Sequence, residues 1–307
     1  MNLDDLKKEL KRLLDNQNST DSMNIDNVLN KLMQDMNSAK KEDFEGYSSM
    51  EMQQIIHFLF DENCPIRIKK LKSEDVTKIP VYNGVKFLVN YLLEHEKIKL
   101  TAKGFLPTKI VADLYNQKYF LEEKIEIGVC KLRTEMDSIF VNICHLLLVM
   151  SGYGKKVNRS LTLTAKGKKN TSDHQFFFED LLKAYCVKFN WGYFDYYEMF
   201  DVAKLGNGYS IFLLNKYGNE KRDSNFYVQK YFTAFPMFME DVNVRSMHQS
   251  KEEYLSNCYS LRTFNRFGKL FGLIHIDKNI NIMEPNIIQK TELFDAIFEC
   301  LTPENNK

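Results

Sequence analysis

The sequence predicts a mainly α protein with small β elements, built from repeated helix–strand–helix units around a helical, aromatic-rich middle. Three observations carry this expectation. Apolar residues recur at helical spacing along most of the 307 residues. The pentapeptide Leu-Thr-Ala-Lys-Gly stands unchanged at Leu100–Gly104 and at Leu163–Gly167, each time with an apolar helical stretch before it and a helix after it. Identical copies with matching flanks point to an internal duplication. Eleven aromatic residues lie between Phe176 and Phe200.

Taken in order, residues 1–43 read as a separate helical appendage. Leu3, Leu6, Leu10, Leu13 and Leu14 form one stripe, and Val28, Leu29, Leu32 and Met36 a second, with a polar stretch over 15–21 between them. The body begins near Phe44. Met52, Ile55, Ile56, Leu59 and Phe60 share a helix face that ends before Pro65. Val81, Val85, Leu88 and Leu92 form the next stripe, directly after Pro80. Ile98–Thr101 alternates like a strand, Ala102–Gly104 turns, and Pro107 opens a helix with Ile110, Val111 and Leu114 inward. The order then recurs. Ile139, Ile143, Leu146 and Met150 form a stripe, Leu161–Thr164 a strand, Ala165–Gly167 a turn, and Asp173 a cap for a helix over 174–189. A weaker third copy follows, with a helix over 254–270, a strand at 271–276, a turn at Asp277-Lys278-Asn279, and a last helix carrying Phe294, Ile297, Phe298 and Leu301. The expected division is therefore 1–43, 44–130, 131–190 and 191–307.

A helix, a strand ending in Leu-Thr-x-Lys-Gly and a further helix resemble the second half of a winged helix, in which that strand belongs to the wing. The body from about Ser48 also resembles an uncharacterised group of bacterial proteins. The matching stretches are Ile98–Leu114, Phe212–Gly218, Ala234-Phe235-Pro236 and Phe271-Gly272-Leu273. Relatives of that group are sometimes joined to a Cys-rich zinc motif called SEC-C, and no such cluster occurs in this sequence. The resemblance implies a fold: mainly α with small β-wings, in tandem winged-helix-like units around the aromatic middle. It implies no activity and no cofactor.

Lys and Arg number 42 against 41 Asp and Glu, a net charge of +1. That balance excludes a globally basic nucleic-acid coat and an acidic tail protein, but leaves room for a local patch. The longest apolar stretch, 138–150, is shorter than the ~20 residues that span a bilayer, and it contains Asn142, Cys144 and His145. A buried helix is expected there, and no membrane partner. The first residues carry no cationic segment leading into an apolar one, so no secretory signal is expected. The six cysteines are scattered without a Cys-x-x-Cys pair. In a chain of this size that suits a reduced cytoplasmic protein.

Sites of chemistry are scarce. The six histidines are far apart, and no His-x-x-x-His or Glu-x-x-His pair exists, so structural roles outweigh metal binding. There is no Gly-x-Ser-x-Gly elbow. Gly152-Tyr153-Gly154-Lys155-Lys156 follows a helix and lacks phosphate-loop spacing, which makes a helix cap the simpler reading. Asp195, Glu198 and Asp201 share a helix face, read as solvated. The aromatic block has few interleaved cations and reads as core rather than as a base-stacking platform.

One charge signal stands out. Lys155, Lys156, Arg159, Lys166, Lys168 and Lys169 fall within fifteen residues without an acid among them. On a hairpin they would track phosphates. Against base reading, the preceding helix over 136–150 has no Lys or Arg. The leading expectation is a non-catalytic cytoplasmic interaction or regulatory protein with a protein partner and no cofactor. The alternative is a nucleic-acid-binding protein using the Lys155–Lys169 hairpin. An enzyme with a site in the aromatic middle is the weaker third.

Overall fold

A computed structural model describes residues 8, 11, 12, 22–169, 171–197, 201–240, 249–277 and 285–303, with the backbone alone for 22–28. The first leucine stripe, the polar stretch over 15–21, the Val28 side chain, Glu198, Lys278 and Asn279 lie outside the described residues. Within them the protein is mainly helical, with three small antiparallel sheets and an aromatic-rich core.

Two runs of elements set the architecture. In the first, helix α1 (Pro80–His95) buries Val81, Val85, Leu88 and Leu92, with proline at its first turn. It ends at Glu96, whose φ is 62°, and leads into β1 (Lys97–Lys99). Helix α2 (Thr108–Tyr115) follows, then a short helix, Glu123–Glu126, then α3 (Ile139–Met150), β2 (Gly154–Val157) and β3 (Ser160–Leu163). Helices α1 and α3 cross closely at Gly84, where a Cβ would overlap Cys144 Sγ and the Phe140 ring. The N-terminus of α3 is held twice. Ser138 Oγ accepts from Val141 N at 3.2 Å, and the Glu122 carboxylate accepts from Ile139 N at 2.9 Å and from the Ser138 hydroxyl.

The two Leu-Thr-Ala-Lys-Gly copies do not head two separate hairpins. Strand β1, leading into the first copy, pairs with β3, which leads into the second; β2 pairs with the other side of β3. One sheet of order β1-β3-β2 results. The boundary expected near residue 130 therefore runs through a sheet-forming unit. The reason is stability: a lone short hairpin is marginal, and three strands sharing the apolar face of Ile98, Leu161 and Leu163 are not.

The second run repeats the order. Helix α4 (Asn207–Tyr217), β4 (Arg222–Asp223), α5 (Ser224–Ala234), α6 (Lys251–Ser260), β5 (Ile274–Asp277) and β6 (Ile287–Lys290) follow one another. A short helix, Met237–Glu240, lies between α5 and α6, and α6 continues as a π-helical stretch, Leu261–Gly268. The sheet order is β4-β6-β5. In both runs the last strand lies in the middle of the sheet. A two-stranded sheet, Ile66–Ile68 with Phe298–Cys300, ties the start of the body to the far end of the described chain.

The aromatic middle lies between the runs. Helix His174–Lys183 and its π-helical extension Ala184–Lys188 bury Phe177, Phe178 and Tyr185. Tyr185 touches Phe189, Trp191, Phe267 and Phe271. Phe176 and Tyr196 are exposed instead, the latter at 97%. Asp195, expected on a solvated face, is buried. Arg262 Nε donates to its Oδ2 at 2.6 Å, and Arg262 Nη1 donates to the Val202 carbonyl at 3.0 Å. Arg266, one turn on, donates to the carbonyls of Trp191, Tyr193 and Phe194. An aromatic environment forbids an unpaired charge, so the acid nearest the arginine turns inward. Asp201 stays exposed.

At the near end of the body, Glu45 joins the chain to α4 and α5. Its carboxylate meets Lys216 at 2.9 Å, Lys230 at 2.5 Å and the Tyr217 hydroxyl. Burial by itself would raise its pKa; the donors Lys230, Tyr217 and Lys216 outweigh that and bring it down to about 2 from 4.5.

Two outcomes are expected. Arg262→Met leaves Asp195 buried and unpaired, and is expected to cost about 3–5 kcal/mol in urea denaturation, with much of the loss recovered in the double variant Arg262→Met, Asp195→Leu. For Glu45, a folded pKa below the unfolded one means the ionised form favours the native state. That stabilisation is complete above a pH of about 4.5 and disappears as pH falls through about 2. Glu45→Gln is expected to be less stable than the native protein at neutral pH and to converge with it in acid. Urea midpoints across pH check this.

Candidate functional site

Antiparallel register decides which lysines meet. Lys97 stands opposite Thr162, and Thr162 opposite Lys155; Lys99 stands opposite Ser160, and Ser160 opposite Val157. Residues paired across strands share a face. Lys97, Lys99 and Lys155 therefore project from one side of the sheet, and all three are exposed. Lys97 and Lys155 are roughly 10 Å apart across two ladders, and Lys97 and Lys99 roughly 7 Å apart along one strand. The opposite face carries Ile98 and Leu161, both buried.

The β2–β3 turn is the two-residue pair Asn158-Arg159, with φ of 48° and 56°. Two left-handed residues match the strand twist of a hairpin. Arg159 is exposed at this tip, while its carbonyl accepts from Leu100 N at 2.9 Å and extends the pairing toward the first pentapeptide. The side chains of Lys97, Lys99, Lys155 and Arg159 have no hydrogen-bond or ion-pair partner among the described residues.

The six cations picked out by the sequence divide. Lys155 and Arg159 belong to this exposed surface. Lys156 is exposed but in register with Leu161, and its Nζ reaches across to the Gly104 carbonyl at 3.1 Å. Lys166 is committed elsewhere: it pairs with Asp180 at 2.8 Å, donates to the Ser151 carbonyl at 3.0 Å and lies 4.6 Å from the Tyr153 ring centre. Lys168 and Lys169 are exposed on a short helix, Ala165–Lys169, beyond the hairpin. The hairpin proper is thus Gly154–Leu163, not 155–169. The expected turn became helical because Thr164 Oγ1 accepts from Gly167 N at 3.0 Å, as a cap does.

Two features escaped sequence reading. Lys99 lies in the strand expected over 98–101 and Lys97 just before it; the observed strand is Lys97–Lys99, and only its partner strand shows that both lysines face the same way as Lys155. The alternation Lys97-Ile98-Lys99 was the available signal. The second feature is a buried cluster of Glu135, Asn142 and His145, in which the acid and the histidine are ten residues apart.

For nucleophilic or metal chemistry the arrangement offers little support. Burial pushes the thiols of Cys64, Cys144, Cys186 and Cys258 up, away from the reactive thiolate. Among the described residues, no three His, Cys, Asp or Glu side chains are grouped to hold a metal ion, and no helix is long and apolar enough to cross a membrane. No protein-family model, curated protein or solved structure matches the chain.

The split between committed and free cations has a measurable consequence. Lys166→Met, which removes the Asp180 pair and the Tyr153 contact, is expected to destabilise the protein by about 1 kcal/mol. Lys97→Ser and Lys155→Ser are expected to stay within about 0.5 kcal/mol of the native protein in the same urea titration.

Proposed function

We propose that the protein is a non-catalytic cytoplasmic binding protein that contacts nucleic-acid backbone through the outer face of the β1-β3-β2 sheet, without reading base sequence. The observation that carries this is the convergence of Lys97, Lys99 and Lys155 on one exposed face, with Arg159 at its tip and no acid paired to any of them. Such a face neutralises phosphates and releases their counterions.

The order helix, strand, helix, helix, strand, strand, with the last strand central, is that of a winged helix. Its recurrence supports a reading as two tandem winged-helix-like units, over 80–163 and 207–290. Sequence-independent contact follows from the third helix of each unit. Helix α3 has no Lys or Arg and is largely buried. In the second unit, Arg262 and Arg266 are spent on internal partners. Direct readout needs such groups exposed in a groove. The second sheet also lacks a basic face: Asp223, Ile287 and Asp277 stand in one row across it, with His275 and Gln289 in another.

A protein partner is the second reading. Leu121, Ile127 and Val129, exposed at 50%, 66% and 70%, gather large apolar side chains within nine residues of chain.

Fluorescence anisotropy with mixed-sequence duplex DNA and with single-stranded RNA, across a salt series, tests the proposal. Four phosphate contacts give a slope of log K against log salt of about −3.6 on duplex DNA. The variant Lys97→Ser, Lys99→Ser, Lys155→Ser, Arg159→Ser is expected to lose that binding at unchanged stability. No binding of the native protein at low salt, or the same slope in the variant, sinks the proposal and leaves the apolar surface as the place to look.

A further inference from the structure

Helix α3 carries a polar cluster that the sheet face does not use. Glu135, Asn142 and His145 are each no more than 2% exposed. Glu135 comes from the turn Glu135–Asp137 just before the helix. Asn142 and His145 are three apart on α3, so their side chains leave the same face. The Glu135 carboxylate gathers three nitrogen groups. Its Oε2 accepts from Leu106 N, its Oε1 accepts from Asn142 Nδ2 at 2.6 Å, and His145 Nδ1 lies 2.9 and 3.0 Å from the two oxygens.

These contacts fix what the remaining atoms offer. A carboxylate has only lone pairs to present, so Nδ1 of His145 carries the proton toward it, and the amide of Asn142 turns its NH2 inward. Two atoms are left over, Nε2 of His145 and Oδ1 of Asn142. Both are buried, and neither has a hydrogen-bond partner among the described residues. With a neutral ring, both are acceptors and cannot satisfy each other. With a cationic ring they become a donor and an acceptor, yet they do not pair directly. One small group serves in both states, because it can donate two hydrogens or accept one bond and donate another.

We propose that a single water molecule is bound there as a structural ligand, bridging Nε2 of His145 and Oδ1 of Asn142. Buried waters make about three hydrogen bonds to otherwise unsatisfied polar groups. Two such atoms stand together on one face of α3, within the roughly two to four bonds that a buried water takes up. A cation fits less well: the adjacent carboxylate is already taken up by N–H donors, and no group of three His, Cys, Asp or Glu converges there among the described residues. This inference is independent of nucleic-acid binding.

The test is a crystal structure of the full chain that resolves ordered water, with water-to-protein NMR cross-relaxation on the labelled native protein as the solution measurement. A single peak within roughly 2.7–3.2 Å of both atoms, and a long-lived water signal on the His145 ring, are expected. Asn142→Leu is expected to abolish both while Glu135 and His145 stay paired. A dry cavity, a peak touching only one of the two atoms, a peak with a metal's anomalous signal, or a native His145 ring with no water signal would overturn it.

Discussion

A guanidinium buried among aromatic rings has to find every hydrogen bond inside the protein. Arg262 is fully buried, and it finds Asp195 and the Val202 carbonyl. Arg266 finds three carbonyls of the adjoining segment. In the residues that supply these partners, 191–197 and 201–203, Phe194, Tyr196 and Ala203 adopt φ of 50°, 62° and 68°. Such conformations cost roughly 1–3 kcal/mol each without glycine and persist only where the surroundings over-determine them. The second run of elements is thereby fastened to the aromatic middle.

The same constraint shapes the surface. Two runs share one order of helices and strands, yet they use their third helices differently. One third helix is apolar and carries the Glu135 cluster. The other carries two arginines whose donors are consumed internally. Neither has cations to spare for a partner. Binding capacity moves to the sheets, and there the runs diverge again. The first sheet turns three lysines outward. The second sets Asp223 and Asp277 in one row and pairs Asp277 with Lys221 at 2.6 Å. A shared topology therefore does not give a shared surface, because outward-facing positions are free of the packing demands that fix the inward ones.

Much of the fold was legible in the sequence. Helical stripes such as Val81, Val85, Leu88 and Leu92 are set by a 3.6-residue period, and the strands at Ile98 and Leu161 by alternation. The cap at Asp173 is a local hydrogen bond. The candidate site was half legible. Lys155 and Arg159 stood out as a local run of charge, while Lys97 and Lys99 joined them only through a strand pairing some sixty positions away in the chain. Lys166 looked the same as its neighbours in sequence, and a contact with Asp180 removed it from the surface. Asp195 looked solvated for a comparable reason: its partner Arg262 lies 67 residues further on.

The sequence alone determined the helical class, the aromatic core and a basic stretch near Lys155, since each follows from spacing or composition within a few residues. The tertiary structure decided that both pentapeptides serve one sheet, which cations remain free, and which acids turn inward. Those outcomes depend on register and burial. Both are settled by residues distant in the chain that must satisfy one another's hydrogen bonds and apolar faces at once.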